Sequence, residues 1–151
     1  MDGFTYKNGK LYVENVSVEK IAAEVGTAAY IYSKSTFLDH LSKIQNAYKE
    51  IETICCYSIK ACSNINILKF MADAGSGFDI VSGGELFRAK QAGADMSKIV
   101  YAGVGKTDKE LCEALDAGIG YFNIESEEEL ENLITIAKSK GLTAKAALRV
   151  N

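Results

Sequence analysis

TICCYSI (Thr53–Ile59) is an apolar, strand-like run that passes at once into Lys60 and the small or polar Ala61, Cys62, Ser63 and Asn64. Behind them Leu68, Met71 and Ala74 form the stripe of an amphipathic helix, which Gly75 closes. Strand, charged corner and helix make one βα unit, and the question it raises is the lysine. Strands end at the surface, where a lysine is at home. A lysine at the mouth of an apolar pocket can also lose its proton at neutral pH and attack a carbonyl. Taken alone, Lys60 reads more readily as the first kind.

The unit recurs along the chain. Further strands are expected at Ala29–Tyr32, Phe78–Val81, Lys98–Ala102, Tyr121–Ile124 and Lys145–Val150. Helical stripes lie between them: Phe37, Leu41, Ile44 and Tyr48; then Leu111 and Leu115; then Leu130, Leu133 and Ala137, opened by a capping box of Ser126 and Glu129. Gly93, Gly118 and Gly141 stand where helices stop. Apolar strands without strict alternation, separated by helices, predict a parallel sheet of an α/β protein. An open doubly wound sheet would carry a glycine-rich turn after its first strand, and none is present. GVGKT (Gly103–Thr107) resembles the end of a phosphate loop, but Val100 stands where the motif needs its first glycine. The other architecture that makes such a pattern is a (β/α)₈ barrel of TIM type, for which about six βα units are present. Barrels keep their chemistry at the carboxyl ends of the strands. Those positions hold Lys60, Asp79 with Ser82 and Gly83-Gly84-Glu85, Gly103–Lys106, Asn123 with Glu125, and Arg149.

Composition narrows the function. A chain of 151 residues supports one real core, and a net charge of −3 speaks against a nucleic-acid binder. No apolar run approaches the roughly 20 residues that span a bilayer, and MDGFTYKNGK has no signal core, so a cytoplasmic protein is expected. The four cysteines form no C-x-x-C pair and the one histidine, His40, sits mid-helix, so no metal site is expected. His40 and the acidic turn Glu127–Glu129 are expected to face solvent, the latter favourable to the helix dipole. Arg149, on an apolar strand, needs an acidic or phosphate partner.

YSIKACSN (Tyr57–Asn64) followed by GSGFDIVSGGEL (Gly75–Leu86) resembles the signature of the fold-type III pyridoxal-phosphate decarboxylases. It resembles most their diaminopimelate decarboxylase branch, which reads Y-x-x-K-A-N-x-N and then F-D-V-V-S-G-G-E-L. The likeness continues through KIVYAGVGKTDKEL (Lys98–Leu111), YFNIESEEELENL (Tyr121–Leu133) and ALRVN (Ala147–Asn151), and reaches upstream over residues 8–33. It implies an alanine racemase-like barrel over residues 29–151, with residues 1–28 leading into it. The rest of the barrel and a β domain would lie beyond Asn151. It further implies pyridoxal 5′-phosphate as cofactor, an amino-acid substrate, a homodimer, and no nucleic acid or membrane partner. By the same resemblance Lys60 is the lysine that takes the cofactor covalently and is catalytic, while Asp79 and Arg149 are cofactor-binding residues of the inner wall. Cys62 stands where many members have asparagine, and Ala28 or Ala29 where they have proline. The expected reaction is decarboxylation of meso-diaminopimelate to L-lysine. A related decarboxylase for ornithine, arginine or a carboxylated polyamine, or a non-catalytic cofactor-binding barrel, is the alternative.

Overall fold

The computed structural model describes residues 3–150. Asn151, the last residue of the ALRVN motif, lies outside them. The chain divides into two compact units at residues 50 and 51.

In the first unit three short strands, β1 (Phe4–Lys7), β2 (Lys10–Val13) and β3 (Val16–Ser17), form an antiparallel meander. Lys7 pairs with Lys10 across the two-residue turn Asn8-Gly9, and both turn residues have positive φ, 50° and 78°. Asn-Gly is the dipeptide that tolerates this turn best. Two helices follow, α1 (Val18–Val25) and α2 (Lys34–Ala47), capped by the Ser17 and Ser33 hydroxyls. His40, on α2, is exposed. Ala29–Tyr32, expected as the first strand, joins neither sheet among the described residues. Apolar character favours extended backbone, but a strand exists only where a neighbour's amides and carbonyls meet it in register. Tyr30 is 92% exposed accordingly.

The second unit is a five-stranded, wholly parallel sheet in the order of the sequence. Its strands are β4 (Cys56–Ser58), β5 (Gly77–Ile80), β6 (Ile99–Tyr101), β7 (Tyr121–Ile124) and β8 (Ala146–Leu148). The connecting helices are α3 (Ile65–Asp73), α4 (Gly83–Gln91), α5 (Asp108–Ala117) and α6 (Glu127–Ser139). Each of the later five expected strands thus lies where its apolar run placed it. None of the described helices is long and apolar enough to cross a membrane.

The two faces of the sheet differ. Phe78, Ile80, Ile99, Tyr101, Phe122 and Ile124 point one way and are buried beneath the helices with Leu86, Ala89, Leu111, Ala114 and Leu133. Full burial of a side chain of this size stabilises by about 2–3 kcal/mol, so this layer is the core. The alternate residues Cys56, Ser58, Asp79, Val100, Asn123 and Ala147 point the other way, and none of them is buried. Gly77 and Gly120 sit where a β-carbon would come within 2.4 Å of the Lys98 carbonyl and 2.3 Å of the Ser97 carbonyl. The backbone before β6 passes that close to both neighbours, and only glycine admits it.

Candidate active site

The corner after β4 carries the expected nucleophile. β4 ends at Ser58, and Ile59–Ala61 form a single 3₁₀ turn, so Lys60 lies just beyond the strand rather than at its last position. Ile59 is wholly buried and anchors the turn, which leaves Lys60 exposed. Its amine makes no hydrogen bond or ion pair with the described residues. The backbone that follows is braced from two sides. The Tyr57 hydroxyl donates to the Cys62 carbonyl at 3.3 Å, and Arg88 Nη1, from α4, donates to the Ser63 carbonyl at 3.1 Å. Asn64 then caps α3 by accepting the Asn66 amide at 2.9 Å.

Asp79 stands directly opposite Ser58 in the β4–β5 register, and the Ser58 hydroxyl donates to its Oδ2 at 3.0 Å. Both belong to the open face, and Ser58 runs directly into the turn that carries Lys60. Cys56 shares that face, but its thiol is pushed up, first by burial, then by Cys55 and Asp79, which makes it a poor nucleophile. Arg149 lies at the opposite edge. Its amide continues the β8 ladder onto the Ile124 carbonyl at 3.0 Å, and its Nη1 lies 3.1 and 3.3 Å from the two oxygens of Glu125. Four strand spacings, roughly 19 Å measured along the sheet, separate the β4 and β8 edges. Asp79 is thus held by Ser58 on the strand beside the one that leads into Lys60, while Arg149 lies at the far edge of the sheet.

Between these edges the rim is built of glutamates. Ser82, Thr107 and Ser126 each accept the amide three residues on, and Glu85, Glu110 and Glu129 each reach back to a backbone amide at the start of their helix. SGGE, TDKE and SEEE are one pattern, [ST]-x-x-E, of which only the last had been singled out. The first two could have been found by the same spacing. Glu110 also accepts the Gly83 amide at 2.8 Å, and the Gly83 and Thr107 amides hold its carboxyl below the usual range. Burial first, and then the neighbouring Glu110, push the Tyr101 phenol up.

Glu129 does not face solvent as expected. Its carboxylate is 13% exposed and pairs with Lys106, whose side chain is 1% exposed. Lys106 Nζ also donates to the Gly103 and Asn123 carbonyls, each at 2.8 Å, and lies 5.7 Å from the Tyr101 ring centre. The reason is the turn after β6, which folds Lys106 back under α6. Glu127 and Glu128 are exposed, as their place on the first helical turn predicts. The two features that by type would seek a phosphate, the lysine of GVGKT and the α4 terminus at Gly83, are thus already engaged by glutamates of this chain.

The residues present fit the aldehyde end of pyridoxal phosphate: an amine with no partner among the described residues, two positions on from the serine of a hydroxyl–carboxylate pair on an open, half-polar face. Comparison with known proteins agrees. A family model described as pyridoxal-dependent decarboxylase, pyridoxal binding domain, matches residues 34–151. The diaminopimelate decarboxylase of Haemophilus influenzae is 44% identical over all of this chain, which covers 36% of it, and that of Aquifex aeolicus is 43% identical over 97% and 34%. The crystal structure of diaminopimelate decarboxylase from M. jannaschii superposes with a TM-score of 0.95 at 33% identity, over 99% of this chain and 36% of that one. A viral arginine decarboxylase, at 24% identity and a TM-score of 0.72, shares the fold. The chain spans about a third of the length of these relatives. A lysine corner, an acid on the next strand and the sequence that surrounds both have one common explanation: the chain belongs to the family of pyridoxal-dependent decarboxylases, as their pyridoxal-binding domain.

Proposed function

We propose that this chain is the N-terminal, cofactor-binding part of a homodimeric decarboxylase that converts meso-diaminopimelate to L-lysine. The observation that carries the reading is the Lys60 amine, exposed and without a partner among the described residues, in the turn that follows the Ser58–Asp79 pair. The 41–44% identity to diaminopimelate decarboxylases over the length of the chain supports the substrate.

Pyridoxal phosphate supplies, when bound, an electron sink for the pair of electrons left on the α-carbon as carbon dioxide departs. The chain supplies position. Lys60 Nζ would be the amine that holds the cofactor's carbonyl carbon. Asp79, fixed by the Ser58 hydroxyl, presents an anionic acceptor to the inner face. Arg149 presents guanidinium donors from the opposite wall. Ala61, next to Lys60, would leave room for a flat ring.

Borohydride reduction of the protein mixed with pyridoxal phosphate, followed by peptide mass mapping, should place the adduct on Lys60 among the fifteen lysines. An adduct spread over other lysines would refute the assignment. For the full-length protein, release of carbon dioxide from diaminopimelate is expected. Release from ornithine or arginine in preference would move the substrate.

A further inference from the structure

Lys106 is a buried ammonium with every proton placed: on the Gly103 carbonyl, the Asn123 carbonyl and Glu129. An ammonium has three donors, so its hydrogen bonding is complete and its acceptors are fixed in turn. The second oxygen of Glu129 accepts the Glu125 amide at 2.8 Å. The Glu125 carboxylate, 8% exposed, accepts the Gly103 amide at 3.0 Å. These bonds close a ring: Gly103 to Lys106, Lys106 to Glu129, Glu129 to Glu125, and Glu125 back to Gly103. That amide is the largest cause of the lowered Glu125 carboxyl, with Arg149 behind it.

Arg149 rests on the ring without belonging to it. Only its Nη1 contacts Glu125, and the other guanidinium nitrogens have no partner among the described residues. Asn123 pairs with Ala147, so the alternation of β7 and β8 puts Glu125 and Arg149 on the same open face as Asp79. An ion pair with one exposed partner ordinarily contributes little, because both side chains must be ordered to make it. Here the acid is ordered before the arginine arrives.

We propose that Glu125 is a positioning residue: held by Lys106, Glu129 and the Gly103 amide, it aims the Arg149 guanidinium across the open face, with free N–H groups for an anionic oxygen of the cofactor or substrate. This rests on the reading of Arg149 as a cofactor-binding residue. Glu125 touches neither reacting group and acts through Arg149 alone.

Arg88 and Arg149 are the two arginines of the chain, so each serves as reference for the other. The rate of phenylglyoxal modification at each, read by peptide mass, reports how tightly it is held. Glu125→Gln is expected to speed modification of Arg149 by about threefold, the scale of one lost ion pair, and to leave Arg88 unchanged. Glu129→Gln should act in the same direction. Lys106→Met may be read only where Arg88 keeps its rate, since unfolding would release both. An Arg149 rate unchanged in both glutamine variants overturns the proposal. In the full-length protein, Glu125→Gln is expected to weaken pyridoxal-phosphate binding, titrated by absorbance, and to have no effect once Arg149 is alanine. Equal losses in both backgrounds overturn it too. Affinity unchanged by Arg149→Ala would remove the role of Arg149 itself, a separate failure even where the modification rates hold.

Discussion

Lys60 and Ile59 are neighbours with opposite duties. Ile59 is wholly buried, and its loss to alanine should cost about 2–4 kcal/mol in urea unfolding, because the site keeps a cavity. Lys60 is exposed and has no partner among the described residues, so Lys60→Ala should change stability by less than about 0.5 kcal/mol. In the full-length protein the same substitution should cost orders of magnitude in rate, on the proposed role of the amine as covalent anchor. A Lys60→Ala protein that melts with the parent yet fails to trap cofactor separates the two duties. Glu110 carries a pH prediction. Its folded carboxyl lies below the ordinary value of 4.5, so its contribution is present above that value and is lost as pH falls through the lower folded one. Glu110→Gln should therefore flatten the acid limb of a stability–pH curve and leave the neutral region's slope unchanged. The sequence made Lys60, Asp79 and Arg149 visible because strand ends carry chemistry in this architecture. It could not show that Ser58 holds Asp79, which needs the strand register.

Among the elements, the parallel strands were legible because each apolar run is followed by a stripe of helical period. The antiparallel meander was not read, although Asn8-Gly9 is a hairpin signal, because attention to βα repetition leaves no place for it. Lys106 was illegible for a different reason: its partners lie 3, 17 and 23 residues away, and no local pattern encodes such a bond. Breaking a buried pair on one side leaves an uncompensated charge, so Lys106→Met should cost about 3–5 kcal/mol. Adding Glu129→Gln should recover part of that loss, since the amide still accepts the Glu125 N–H; denaturant midpoints of the three variants decide it. The caps are cheaper. Ser82→Ala or Thr107→Ala should cost about 1 kcal/mol each by the same measurement.

At the scale of the whole molecule, β4 and β8 are the edges of the five-stranded sheet, with no further strand paired to them among the described residues, and Leu148 is 71% and Val150 90% exposed. Exposed parallel edges with apolar side chains recruit other chains. Residues 1–151 alone should therefore self-associate in size-exclusion chromatography and release no carbon dioxide from diaminopimelate; a stable, active monomer would contradict this. The one-sided burial of the sheet has a separate result for inheritance. Along every strand, neighbouring codons answer to different judges. A change at Phe78 or Ile80 is tested each time the chain folds, whatever the cell is eating. Changes at Ser58, Asp79 or Asn123 pass that examination unseen and, on the function proposed above, are tested only when the product is in demand. Lineages fed that product from outside should thus lose the open-face residues first, while the hidden ones persist as the record of what the sheet once supported.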